Sequence, residues 1–310
     1  MKVGIVTVTY NSINVLEDFL SSIEGQDFKD LTLYVVDSGS SDETIPYLAS
    51  HMPTGGKLIE NGCNVGFAAG TNQGIRAALQ DGCGAVLVLN NDVVFGPTLV
   101  GELIQALRDY QCDMTTPMMY FHHPHNLIWA AGGSFDQWRG YVNSHRGEGE
   151  VDEGQYSSPT RVMFAPLCCV MIRSEVFARA GLLDERFFTY AEDADFMYRC
   201  MKLNISLWFV PDSKLWHKVS SLTGALSDFM IRYCIRGRIF FLYKHLNAFV
   251  AWFWTCVHFV DFAFQFLSMK NSRRITALKF RAAWEGYLVY RRSVSSGKSE
   301  AKLADSRLPL

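Results

Sequence analysis

The chain has 310 residues, 49% of them hydrophobic and 19% charged, with a formal net charge of −2. That composition builds a sizeable core and excludes a disordered chain, and the near-neutral balance excludes a nucleic-acid binder that works through a strongly basic surface. Eight cysteines (63, 83, 112, 168, 169, 200, 234 and 256) without C-x-x-C spacing argue against a zinc ribbon or disulfide scaffold and fit reduced thiols in a cytoplasm.

The N-terminal MKVGIVTVTYNS lacks the charged, long-apolar and small-residue parts of a signal peptide, so none is expected. Residues 3 to 9 read as a buried strand, followed by a turn with Ser12 or Asn14 near a helix start and an amphipathic helix over 15 to 24. LTLYVVDSGSSDET gives a second β-branched run closed by Asp37, Ser38, Gly39 and Ser40. Residues 57 to 60 form a short strand, NVGFAAGTNQGIRAALQ a Gly-rich entry to a helix, and 85 to 89 a strand that runs into Asn90, Asn91 and Asp92. This β-α-β-α rhythm predicts an α/β fold, a Rossmann-like, mostly parallel sheet flanked by helices, with ligands bound beyond the carboxyl ends of the strands. Asp37 and Asp92 each stand at such an end, so the two acids are expected to face one crevice. An ionised carboxylate beside a buried strand needs a positive partner.

A helix follows residue 98, then a long irregular stretch, IWAAGGSFDQWRGYVNSHRGEGEVDEGQY, of the kind that is usually functional. Its Trp129, Gly132, Gly133, Asp136 and Trp138 offer aromatic stacking for a sugar or packing for the core. VMFAPLCCVMIR returns to the sheet, and its Cys168 and Cys169 read as packed thiols. SEVFARAGLLDERFF is a helix stopped at Gly181. Residues 190 to 203 hold a helix whose start carries Glu192, Asp193 and Asp195, more acid than capping requires. SLWFVP is a final strand leading to His217. The FHHPH cluster (His122, His123, His125) reads as a Pro-bearing surface turn in preference to a metal site.

From residue 228 apolar and aromatic runs alternate with Arg232, Arg236, Arg238, Lys244, Arg273, Arg274 and Lys279, which predicts two or three helices. Between Leu246 and Met269 the apolar density approaches the roughly 20 residues of a membrane span, but His258, Asp261 and Gln265 interrupt it. A span, an interfacial helix and a buried or dimer-forming helix all remain open here. The expected organisation is a main domain over 1–225, a helical region over 226–293 for a membrane interface or oligomerisation, and a flexible tail over 294–310.

TVTYN, VVDSGSSDET, NVGFAAGTNQGI, LNND, the WAAGG loop, AEDADFMYR and LWH stand in the order found in family 2 glycosyltransferases of the GT-A fold, and the pattern resembles bacterial rhamnosyltransferase-type members most. The resemblance covers about residues 1–225 and implies an inverting, metal-dependent transfer of a sugar, L-rhamnose from dTDP-rhamnose or another sugar from a UDP-donor, onto a polysaccharide or polyprenyl-diphosphate-linked acceptor. It maps Asp92 of LNND to the position that binds Mn2+ or Mg2+, where Asn90 departs from the usual acid, and His217 to a histidine brought to the same cation. By the same likeness Asp37 accepts from the nucleotide base, Thr9, Tyr10 and Asn11 line it, and Asn64, Gly66, Gly70 and Asn72, with Asn90 and Asn91, let the chain approach nucleotide and phosphates. Asp193 is then the general base, with Glu192 and Asp195 orienting the acceptor or supporting the helix. A cytoplasmic enzyme, peripheral on the inner membrane face, follows from this likeness. A processive synthase is disfavoured by the absence of Q-x-x-R-W and of several spans, and a silent nucleotide-sugar-binding scaffold is the rival of another class.

Overall fold

The computed structural model describes residues 1–218 and 227–305, with side chains through Ser295. The expected 225/226 boundary and the last five residues lie outside the described residues. The chain divides into two compact units: one carries the strands of the described residues and the helices between them, the other the three C-terminal helices together with the short segments Gln137–Gly140 and Thr189–Ala191.

In the first unit β1 (Val3–Thr9), α1 (Ile13–Glu24), β2 (Leu31–Asp37), α2 (Thr44–His51), β3 (Lys57–Glu60), α3 (Phe67–Gln80) and β4 (Ala85–Leu89) realise the β-α-β-α rhythm. These strands are parallel, in the order β3-β2-β1-β4. β1 and β4 are buried along almost their whole length, which is why both read as uninterrupted apolar runs. Ile5, Leu33 and Leu87 pack with Leu16, Phe19 and Ile23 of α1 on one face. On the other face α3 lies so close that a Cβ on Gly74 would come within 2.4 Å of Val6 Cγ1, and one on Gly70 within 3.0 Å of Val8.

Beyond β4 the sheet is mixed. β5 (Val93–Phe95), α4 (Leu99–Asp109), β6 (Met114–Phe121), β7 (Ile128–Ala130), β8 (Gly133–Asp136), β9 (Val142–His145), β10 (Thr160–Val162), β11 (Cys169–Arg173), α5 (Ser174–Ala180), α6 (Glu192–Lys202) and β12 (Leu207–His217) follow in chain order. β11 inserts antiparallel between β4 and β6, and β12 runs parallel to β6. The stretch read as irregular therefore contains three short strands, two of which, β8 and β9, form a separate hairpin. The final strand runs past Pro211 to His217, because its register shifts between Val210 and Lys214 and the ladder with β6 then resumes.

The second unit consists of α7 (Asp228–His245), α8 (Ala248–Leu267) and α9 (Arg273–Asp305). Ser227 and Asn247 cap α7 and α8, each side-chain oxygen accepting from the backbone N–H three residues on. Ile239, Leu242, Ala251, Phe262 and Ala283 form its core. α9 continues to Asp305, so a helix occupies most of the stretch expected to be a loose tail; Glu300, Ala301, Lys302, Leu303 and Ala304 are all good helix formers.

Candidate active site

Asp92 and His217 meet. β5 begins one residue after Asp92 and pairs antiparallel with the end of β12, with Val93 opposite His217. That register sets His217 Nε2 3.1 Å from Asp92 Oδ1, both side chains about nine-tenths buried. The backbone N–H of Lys218 donates to Asp92 O at 2.8 Å and fixes the two loops together. Burial opposes a charge on the His217 ring, but the Cys168 sulfur and the Asp92 carboxylate outweigh it and push the imidazole up to about 10. Burial also pushes the Cys168 thiol up, while His217 opposes that rise.

Three strand ends form the wall beside this pair. The Asn91 amide donates to Val8 O at 3.0 Å and Ser12 Oγ at 3.1 Å, tying the loop after β4 to the end of β1. Asn11, at φ +50°, accepts from the Ser41 N–H at 2.8 Å and ties β1 to the loop after β2. Tyr10 stands nearly half exposed and Asn90 is half-buried, so both remain available at the rim.

Asp37 requires a correction. Its carboxylate is fully buried: Oδ1 accepts from the N–H groups of Gly39 and Ser40, and Oδ2 from the hydroxyls of Thr9 and Ser40. Four protein donors saturate it, so it closes the turn after β2, and no face is left for a nucleotide base; Thr9 is buried with it. Nor do the ends of β2 and β4 adjoin, because β1 lies between them.

The Gly-rich segment is corrected likewise. Gly70 faces Val8 inside the helix–sheet interface, and the Asn72 side chain donates to Leu183 O and Glu185 Oε1 and accepts from the Leu183 N–H, all within 3.0 Å. Gly66, at φ +82°, lies where a Cβ would strike Phe188 at 2.6 Å. These residues hold α3 against the sheet and against residues 183 to 188. Asn64 alone of the four is exposed, its Oδ1 accepting from Gly66 N–H and Ser38 Oγ.

The acids of α6 separate into distinct environments. Phe188, Tyr190 and Ala191 all have positive φ immediately before the helix, a run of strained non-glycine backbone of the kind that accumulates at functional sites. Glu192 is buried with Oε2 lacking a hydrogen-bond partner, and burial, aided by the charge of Asp193, pushes its carboxyl up to about 8. Asp193 is half-buried; burial pushes it up to about 6 against the opposing bond from the Ala194 N–H at 2.6 Å. Asp193 therefore ionises first, and its charge helps keep Glu192 protonated. Asp195 is fully buried and paired with Arg199 Nε at 2.9 Å, while Arg199 also donates to the carbonyls of Ala180 and Leu182. Asp195 is thus a structural anchor of the helix.

A continuous series of rings links His217 to α6, the helix that carries Asp193. Trp129 packs edge-on against His217 (4.4 Å between centroids) and against His145 (4.9 Å); His145 stacks on Phe164, Phe164 meets Phe135, and Phe135 meets Tyr198 of α6. His145, whose imidazole burial holds below its usual range, escaped the sequence reading because nothing beside it in the chain marks it. Elsewhere the rings of His122, His123 and His125 lie 4.3–5.3 Å apart. No group of three or more His, Cys, Asp or Glu side chains among the described residues converges as a metal cage. Trp138 belongs to the second unit and is exposed.

The chain matches the description "Glycosyl transferase family 2" over residues 4–181. It is 26% identical over 247 residues to the N-acetylglucosaminyl-diphospho-decaprenol L-rhamnosyltransferase of Mycobacterium tuberculosis, covering 71% of this chain and 77% of that one. It is 25% identical over 198 residues to the dTDP-rhamnosyl transferase RfbF of Shigella flexneri, covering 62% of each. Among solved structures it resembles the mannosyltransferase PcManGT of Pyrobaculum calidifontis, in complex with GDP-Man and Mn2+, with a TM-score of 0.53 at 15% identity over 98% of this chain and 79% of the other. The mixed, mostly parallel sheet with its flanking helices is the GT-A fold, and a family match over more than half of its length makes this chain a member of glycosyl transferase family 2, with glycosyl transfer as its reaction class.

Proposed function

We propose that the chain is an inverting glycosyltransferase that works with Mn2+ or Mg2+ and moves L-rhamnose from a dTDP-sugar, with a UDP-sugar as the alternative donor, onto a glycan carried by polyprenyl diphosphate. The observation that carries this reading is the buried Asp92–His217 pair, 3.1 Å apart at the end of the parallel strands. A carboxylate oxygen and an imidazole nitrogen are a fitting donor set for these ions. Asp92 and His217 would hold the cation, and among the described residues no third acid or histidine joins them as a ligand group. A divalent cation held by these two residues would supply positive charge for a departing nucleoside diphosphate.

The rest of the site supports the same chemistry. Asp193, half-buried, has a carboxyl raised toward neutrality and can take the proton of an acceptor hydroxyl. Attack by that hydroxyl on the face opposite the diphosphate inverts the anomeric centre. Glu192, kept protonated, can donate a hydrogen bond to the same acceptor, while Tyr10, Asn11, Asn64, Asn90 and Asn91 border the nucleotide side. The names of the M. tuberculosis and S. flexneri relatives support L-rhamnose and, for the first, a lipid-linked acceptor. Eight free cysteines fit a reducing cytoplasm.

A thermal-shift panel of dTDP-, UDP- and GDP-sugars with and without Mn2+ tests the donor, followed by a transfer assay with the stabilising sugar. The reading expects stabilisation by dTDP-rhamnose only when Mn2+ is present, and consumption of the donor. Binding without consumption by any acceptor points to the silent scaffold instead.

A further inference from the structure

α8 carries the most apolar surface among the described residues, and it faces solvent. Phe249, Phe253, Val260, Phe264 and Leu267 follow one another in steps of four, seven, four and three residues, which places them along one side of the helix. Phe249 and Leu267, at the two ends of this stripe, are 74% and 75% exposed. Ala251, Thr255 and Phe262 are the only buried residues of the helix, and Ala251 and Phe262 pack with Ile239 and Leu242 of α7 and Ala283 of α9. Exposed apolar surface of this extent marks an interaction site.

Charge decides between the possible occupants. Residues 228 to 293 hold eleven Lys and Arg against three Asp and Glu, whereas the whole chain holds 29 against 31. Two of the three acids are paired, Asp228 with Arg274 and Glu285 with Arg232 and Arg281, and the third, Asp261, accepts from Gln265 Nε2 at 2.7 Å. The turn after α8 presents Lys270 and Arg273 to solvent at the end of the apolar stripe. A two-fold pairing of copies through α8 would bring together two helical units that each carry this excess of positive charge. An anionic surface with an apolar interior satisfies both features together.

We propose that α8 lies flat in the headgroup region of an anionic bilayer, with the Phe249–Leu267 stripe in the acyl layer and the cations around the α8–α9 turn on lipid phosphates. The helix is long and apolar enough to cross a membrane, but it lies flat because its inner face is packed on α7 and α9, whose cations could not follow it into hydrocarbon. His258, Asp261 and Gln265 on α8 itself oppose crossing as well. This inference rests on the second unit alone and stands whether or not the proposed sugar and donor are right.

The test is flotation of the full chain with vesicles of phosphatidylcholine, alone or with about a third phosphatidylglycerol. The proposal expects binding about ten-fold stronger on the anionic vesicles, lost when salt shortens the Debye length to about 3 Å. Trp252 and Trp284, both more than half exposed, should shift their emission to the blue on binding. Phe253→Glu/Phe264→Glu, at solvent-facing positions, should reduce binding about ten-fold with an unchanged circular-dichroism spectrum. Lys270→Glu/Arg273→Glu should erase the preference for anionic lipid and serves if the first variant fails to fold. Equal binding to both compositions, wild-type binding by folded variants, or a dimer in sedimentation equilibrium that the Phe variant dissociates while vesicles bind no protein, each overturns the proposal.

Discussion

His217 Nε2 lies 3.1 Å from Asp92 Oδ1, and the contact exists because β5 pairs with β12 in a register that puts Val93 opposite His217. Two groups distant in the chain are delivered to one buried place by backbone hydrogen bonds, so the pair is preorganised. The Trp129 ring packed on His217 restrains the imidazole further.

Cation binding should release a proton. Against its burial, Cys168 and the Asp92 carboxylate, 3.1 Å from the ring, push the His217 imidazole upward and favour its protonated form when no cation is bound, and only the neutral ring can ligate. Calorimetric titration of Mn2+ and dTDP into the protein near pH 7, in buffers of different ionisation enthalpy, should report about one proton released. His217→Ala should release none.

As the proposed base, Asp193 should set the acid limb of the rate. As a base it must be ionised, and its carboxyl is raised to about 6. The value of kcat/KM for transfer should therefore rise about ten-fold per pH unit up to pH 6 and level above it. Asp193→Asn should lose about 10²- to 10⁴-fold in kcat while dTDP-sugar binding by calorimetry changes little. Undiminished turnover removes the residue from the role.

Glu192 makes stability depend on pH. Its folded carboxyl, raised to about 8, binds a proton that the unfolded chain gives up near 4.5. The native state thus holds the extra proton between those values, and stability falls as pH rises through that window, by about 1.4 kcal/mol per unit at most. Urea unfolding of wild type and Glu192→Gln between pH 6 and 8, above the range in which Asp193 titrates, should show the slope in the first and its loss in the second. Parallel curves contradict the assignment.

Asn72 should prove structural. Asn72→Ala strands the backbone N–H of buried Leu183 and removes two donors from residues 183 to 185, costing about 1–3 kcal/mol. Chemical denaturation should detect that loss while dTDP affinity of the folded variant stays near wild type. A large loss of affinity at unchanged stability would return Asn72 to the nucleotide site.

Much of the parallel half of the fold was legible, because VGIVTVT, LTLYVVD and AVLVL are apolar runs that only a sheet covered on both faces accommodates. The strands β5, β7, β8, β9 and β10 were not, since runs of three or four residues seldom display alternation, and neither was the eight-residue β6, whose Pro117 argues against a strand interior. Asp92 and His217 could be joined by likeness to a family, but their contact depends on a ladder between β5, unread, and the far end of β12. Local motifs misled at Gly70 and Asn72: a glycine-rich helix start looks the same whether its small face meets a phosphate or Val8. Asp37 misled similarly, because a strand-end acid does not announce whether its lone pairs point outward or into its own turn. Tertiary packing alone decides these directions.

The most direct test is Mn2+ binding followed by electron paramagnetic resonance, in the presence of dTDP, for wild type, Asp92→Asn and His217→Ala. One bound ion in the wild type, with affinity reduced at least about ten-fold in each variant and dTDP raising wild-type affinity, is the expected result. Equal Mn2+ affinity in all three proteins would contradict the assignment of this pair as the cation site.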